Sequence, residues 1–387
     1  MECYVVIKIN PKKEKEHGFK LDMYNEELGN KWRNSGSSKS NVLTTAGLFT
    51  DSTAPLKIVV ESDSEMQIYC GIYYRNALTI ESVGDAKLTM YTNRTGIMPT
   101  SMGSGYATNG ILSGNKLTLN ANLNVSLGSF ANAENSTSVI WTKGADLVID
   151  GGNIVTDFRG LLKGTCGIAV VDSGDLIVNG GSVYSAVYFT GNYDSAAYQV
   201  AGDIYVKGGK VEAYAAANSG LRATNIYISG GELKVAANYA GLLLADESGE
   251  IVITGGTIES ASGTAGHTPF MYSYVNEETG KNAQAAKFPT VTAPEGKIAA
   301  IAAGATKDEA IVIEKANLYG YTDKYMKLEF VDAPCAHENS TVTEEIIADA
   351  TCTAAGSKKI ITTCADCGEV IEEIVEIEKL PHTVVTD

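Results

Sequence analysis

Through much of the chain apolar residues recur at every second position, and a pair of glycines interrupts the alternation at intervals. Five segments share the pattern: DLVIDGGNIVT (146–156), DLIVNGGSVYS (175–185), DIYVKGGKVEA (203–213), NIYISGGELKV (225–235) and EIVITGGTIES (250–260). A period of two marks strands, not helices. Gly151, Gly180, Gly208, Gly230 and Gly255 open the five pairs, at steps of 29, 28, 22 and 25 residues. Leu147/Ile149, Leu176/Val178, Ile204/Val206, Ile226/Ile228 and Ile251/Ile253 occupy matching inward places, followed beyond the glycines by Ile154, Val183, Val211, Leu233 and Ile258. The glycine pair supplies a corner at which the chain bends sharply without a Cβ clash. GIAVV (167–171), GLRA (220–223) and GLLLA (241–245) add a third short strand to several copies, and ALTIESVGDAKLTM (77–90) and KLTLNANLNVS (116–126) read as copies that lack the double glycine.

A repeat of this size cannot bury its own apolar face, so copies must stack. The pattern predicts an all-β chain built on a right-handed parallel β-helix of about seven coils. A β-sandwich would account for the alternation but not for a corner recurring at one phase of it. The predicted organisation is an N-terminal cap or upstream fragment at 1–64, the β-helix at 65–265, a C-terminal cap at 266–332 that covers exposed strand edges, and a Cys/His-rich module at 333–387.

Composition narrows the function. The 387 residues are 44% apolar and carry a formal charge of −16. The first figure is enough for a packed core, and the second repels a phosphate backbone, so no nucleic-acid partner is expected. No apolar run is long enough for a transmembrane helix. The apolar stretch Tyr4 to Ile7 has basic residues after it and none before, unlike a secretory leader.

Stacking would align outward residues in rows. Asp146, Asp175, Asp203, Asn225 and Glu250 form one row, whose oxygens suit Ca²⁺, although Asp and Asn are also favoured simply as corner residues. Val148, Ile177, Tyr205, Tyr227 and Val252 form another, in a tyrosine-rich region that includes Tyr184 and Tyr188. Tyrosine rings offer an apolar face to a sugar and a hydroxyl to its oxygens, so Tyr205, Tyr227, Tyr184 and Tyr188 are candidate carbohydrate contacts. Packing beneath a loop such as 186–200 is the structural alternative for this strip.

The segments GIYYRNALTI (71–80) and GLRATNIYISGGELKV (220–235), with the recurring GGxV/GGxI, resemble carbohydrate-binding β-helix proteins of anaerobic gut and cellulolytic bacteria, which look like pectate lyases but bind polysaccharide. The resemblance implies glycan binding at the cell surface, with calcium as a further expectation. A lyase or hydrolase on the same scaffold is the rival. The ordered N-x-D, D-D, G-H-G and R-x-K set of a polygalacturonase is missing, AGHT (265–268) and NYD (192–194) do not complete it, and Arg159, Lys163 and Arg222 read as surface cations. No catalytic residue is assigned.

The tail carries Cys335, His337, Cys352, Cys364, Cys367 and His382. A C-x-x-C pair such as Cys364/Cys367 reaches one tetrahedral zinc from a tight turn, with other Cys or His completing the shell, and Gly368 follows where a left-handed residue is needed. So short a piece needs metal or disulfide to fold. Zinc held by Cys352, Cys364, Cys367 and one histidine is expected. His337, His382 and Cys335 are the further candidates, and disulfides such as Cys335–Cys352 are the alternative in an oxidising exterior. Ala350 to Thr353, Gly356, Cys364, Cys367-Gly368 and Leu380-Pro381-His382 resemble short modules found in tandem on large surface proteins of Firmicutes, and the resemblance implies that the chain is part of a longer surface protein.

Overall fold

The computed structural model describes residues 55–67, 72–74, 76–91, 110–128, 138–159, 166–188, 195–264, 267–313 and 324–381, with short strands at 3–7, 24–25, 30–31 and 49–50. Among the described residues every regular element is a β-strand, and no helix is long and apolar enough to cross a membrane. The chain divides into two units, Met1–Val331 and Asp332–Asp387.

In the first unit the chain visits three faces in turn and then repeats. One circuit runs through Leu176–Val178, Ser182–Val187 and Ala196–Val200, and the next through Ile204–Val206, Lys210–Ala215 and Ser219–Ala223. Each strand pairs in parallel with its counterpart one circuit on. The first two faces join in one sheet of 19 strands and the third forms a sheet of 10. A sandwich of antiparallel hairpins is thereby excluded.

Register follows the glycine repeat. Ile58, Ile80, Leu119, Ile149, Val178, Val206, Ile228 and Ile253 lie opposite one another in succession, and all are buried. Each such side chain contributes about 1.5–3 kcal/mol on leaving water. Stacking begins earlier than the glycines indicate: Leu56–Val60, placed by sequence in the N-terminal cap, pairs in parallel with Leu78–Ser82. The copies without double glycines are full members of the stack, and at their corner Asn122 stands in, its amide bonded to Ser82 Oγ (3.0 Å) and its Oδ1 accepting from the Asn153 amide (3.0 Å).

The second glycine of each pair is the one held at positive φ. Gly152, Gly181, Gly209, Gly231 and Gly256 have φ of 81°, 78°, 73°, 75° and 80°, a region costly to residues with a Cβ. They also stack: a Cβ at Gly256 would sit 2.6 Å from the Gly231 carbonyl oxygen. At the far end the parallel order stops. Ile251–Ser262 pairs in parallel with Thr290–Val291 but antiparallel with Tyr325–Asp332.

Tyr198 on the third face is wholly buried, and its hydroxyl lies 3.2 Å from the Val183 carbonyl and 3.1 Å from that of Glu212. Burial, reinforced by Glu212 and Tyr184, holds its pKa well above the usual tyrosine value. The hydroxyl ties the backbones of two adjacent coils. Tyr198→Phe is expected to cost about 1 kcal/mol, through loss of this bond, read as a lowered denaturation midpoint. No loss would mean that the hydroxyl links nothing.

The second unit is a three-stranded antiparallel meander, Ser340–Ala348, Gly356–Cys364 and Val370–Ile377. It has almost no interior: every residue of the first strand is partly or fully exposed, and Cys364 is among its few buried side chains.

Candidate metal centre

The meander's pairing builds the site. Ser340 lies opposite Cys364, so the chain just before the first strand and the turn just after the second meet at one end of the sheet. There Cys335, His337, Cys364 and Cys367 come together, with one ligand atom from each, all four within 4.8 Å of one another. Cys335 Sγ lies 3.6 Å from Cys364 Sγ, and Cys367 Sγ lies 3.6 Å from His337 Nδ1. Zinc bonds of about 2.3 Å to sulfur and 2.0 Å to nitrogen give tetrahedral edges of about 3.5–3.8 Å, and the two separations match those edges. They are too long for a disulfide; Cys166, Cys335, Cys352, Cys364 and Cys367 are free thiols.

Surrounding bonds fix the ligands. The Gly368 amide donates to the Cys364 carbonyl at 2.9 Å, and Gly368 takes φ 74°, the left-handed exit expected from sequence. His337 also adopts positive φ, 54°, while Ser340 Oγ donates to its carbonyl at 2.7 Å. Asn339 Nδ2 reaches both carboxylate oxygens of Asp366 at 3.0 Å, and the Ala365 amide donates to the Asn339 carbonyl at 2.9 Å. The imidazole presents Nδ1 to the sulfurs while Nε2 faces Glu369 Oε2 at 3.4 Å. A carboxylate on the outer ring nitrogen orients a metal-binding histidine and raises its basicity.

The thiols are differentiated. Hydrogen bonds from the Cys367 and then the Asp366 amides, partly opposed by desolvation, bring the Cys364 thiol down to about 6. At Cys335 the His337 amide acts to lower the pKa, but Cys364 and Cys367 outweigh it and push the thiol up to about 11. Negative charge thus gathers first on the sulfur that receives the knuckle amides, the electronic requirement for a metal ligand.

No family model, no curated protein and no solved structure matches this chain. The assignment of the centre therefore stands on its own geometry.

The sequence-derived ligand set needs one change. Cys352 is exposed and lies outside the group of four. It belongs to the turn between the first two strands, at the opposite end of a nine-residue strand and so roughly 25–30 Å from the knuckle. The same separation removes the basis for a Cys335–Cys352 bridge. His382 lies outside the described residues.

In the first unit the acidic row acts as a backbone cap. The Asp175 amide donates to Asp146 Oδ1 (3.0 Å), the Asp203 amide to Asp175 Oδ1 (2.8 Å), the Asn225 amide to Asp203 Oδ1 (3.1 Å) and the Glu250 amide to Asn225 Oδ1 (2.9 Å). Each acid thereby satisfies the amide of the next coil. Among the described residues the Cys/His centre is the one group of three or more metal-type ligands within reach of a single ion, so the calcium expectation gains no support.

The tyrosine row aligns as expected. Tyr205 pairs with Tyr227, and their rings stack with centroids 5.0 Å apart and planes 14° apart. Tyr205 donates to Asp203 Oδ2 at 3.1 Å, and desolvation followed by that bond pushes its pKa up to about 12. The Val148 end of the row is nearly buried, so the strip is shorter than the pattern implies. Tyr184 and Tyr188 lie on the second face, where Tyr188 is exposed and tilts against Tyr214 with centroids 5.3 Å apart. Residues 189–194 of the loop considered as a cover lie outside the described residues.

Proposed function

We propose that this chain is a right-handed parallel β-helix of pectate-lyase-like form that binds polysaccharide without catalysis at a cell surface, and that its terminal module is a zinc-ribbon-like fold held by Cys335, His337, Cys364 and Cys367. Handedness follows from the near-universal right hand of parallel crossovers. Within the region expected to be the cap, residues 267–313 and 324–331 close the stack. Four protein ligands leave no open coordination position, which makes the zinc structural rather than hydrolytic.

The stacked Tyr205–Tyr227 pair carries the glycan reading. It forms a fixed aromatic step on an outer row, against which the C–H face of a sugar ring packs while hydroxyls meet the adjoining Asp203 and Lys207. A polysaccharide array probed with the full chain, with and without Ca²⁺, is expected to show retention on at least one polymer, weakened about tenfold in Tyr205→Ala/Tyr227→Ala. Retention on none would favour a spacer or adhesin, a reading supported by the cross-coil bonding that stiffens the body. Release of unsaturated uronides absorbing in the ultraviolet would instead establish a lyase.

A further inference from the structure

The third face carries a cleft that the repeat pattern does not announce. Phe270–Asn276 continues the face beyond Leu242–Leu244, then reverses into Lys281–Ala286 as an antiparallel hairpin. The outward row Arg222, Leu243, Met271 passes beneath it. Leu243 and Met271 point away from the main core, yet they are buried and cluster with Ala240. The result is a concavity of about 610 Å³, between the outer surface of the coil and the hairpin, within the size range of small-ligand sites.

Its walls hold a particular mixture. Tyr239 and Tyr274 contribute aromatic rings, the first braced edge-on by His267 with centroids 4.8 Å apart. Arg222 and the amides of Asn218, Asn282 and Gln284 offer donors. Asp246 offers a carboxylate, kept ionised by hydrogen bonds from the Ser248 hydroxyl and amide, at 2.5 and 2.8 Å. Two lining residues, Asn218 and Gln284, each hold a buried side-chain oxygen with no hydrogen-bond partner among the described residues. An unpaired buried polar atom costs about 1–3 kcal/mol, and terminal amide torsions are soft enough to turn toward an incoming donor. Ring faces and short apolar side chains beside closely set donors and acceptors, in nearly equal measure, suit a ligand that has hydroxyls around its rim and C–H bonds on its faces.

We infer that this cleft is an oligosaccharide-binding site, separate from the tyrosine step, in which Tyr239 and Tyr274 take sugar-ring faces while Asn218, Arg222, Asp246, Asn282 and Gln284 bond its hydroxyls. The choice of a sugar rests on the glycan reading above; the existence of a polar small-ligand site rests on the cleft itself. Short soluble cello-, xylo-, manno- and galacturono-oligosaccharides, titrated into the full chain by calorimetry, test it. At least one is expected to bind, with affinity about tenfold or more weaker in Tyr274→Ala and Asn282→Ala. Both positions are on the exposed side of the hairpin, and a thermal midpoint within a few degrees of the original is expected to show that each variant is folded. Tyr205→Ala/Tyr227→Ala is expected to leave the affinity for these short sugars within about twofold of the original. If the tyrosine-step variant loses binding and the hairpin variants keep it, the cleft assignment falls and the glycan reading survives. If neither the oligosaccharides nor any polysaccharide binds the unaltered chain, both fall.

Discussion

Stripping zinc from the purified protein with a strong chelator is expected to unfold residues 332–387 and leave the coil's β-structure in place. The meander has nearly all of its strand residues at least partly exposed and cannot hold itself by burial. Structural zinc supplies about 10–16 kcal/mol in peptides of this size, far more than three short strands provide. Elemental analysis should find about one zinc per chain, and amide resonances of the module should collapse to random-coil positions on chelation and return when zinc is restored. Cys364→Ser should abolish stoichiometric zinc and reproduce the collapse, because it removes the buried sulfur on which the knuckle amides converge. Cys352→Ser should change neither measurement. A module that keeps dispersed resonances in chelator, or one that loses zinc on substitution of Cys352, would overturn the ligand set.

The second large effect is expected at the corners. Gly231→Ala forces a Cβ into a left-handed residue (φ 75°) and places it 2.5 Å from the Gly209 carbonyl oxygen. The first term costs about 1–2 kcal/mol, and the second requires adjacent coils to part, for a total of about 3 kcal/mol or more. Gly144→Ala is the matched control. Its φ is 72°, but a Cβ there meets nothing within 4 Å, so only the conformational cost of about 1 kcal/mol remains. Denaturation midpoints of the two variants read the difference directly. Equal losses would show that the glycine rows matter for backbone angle alone, not for the approach of one coil to the next.

The contrast also shows which parts of this molecule are legible in its sequence. The inward rows are: alternation fixes which side chains face in, and the recurring glycine pair fixes how copies align, so Leu147, Leu176, Ile204, Ile226 and Ile251 fall opposite one another as read. The local half of the metal centre is legible for the same reason, since Cys364, Cys367 and Gly368 lie within one turn. Its other half is not. Whether Cys335 and His337 or Cys352 completes the shell depends on strand register: pairing Ser340 with Cys364 brings 335–340 to the knuckle and carries Cys352 to the far end. The coil formed by Leu56–Val60 and Ser64–Gln67 carries no repeat mark, because its corner holds no glycine at all. The cleft had no signature, because its walls come from the edge of the repeat and from a hairpin after it, segments brought together only by the reversal at Asn276 to Lys281.

The capping row has a consequence for how the gene can change. Each member from Asp146 to Asn225 gives a side-chain oxygen to the amide at the same place in the next turn, so every seam from Asp146 to Glu250 is chemically alike. A duplicated or deleted whole turn would meet matching seams on each side, whereas an insertion of partial length would misplace both the oxygen and the glycine. The body can therefore lengthen or shorten in whole turns while its end structures and cleft stay as they are.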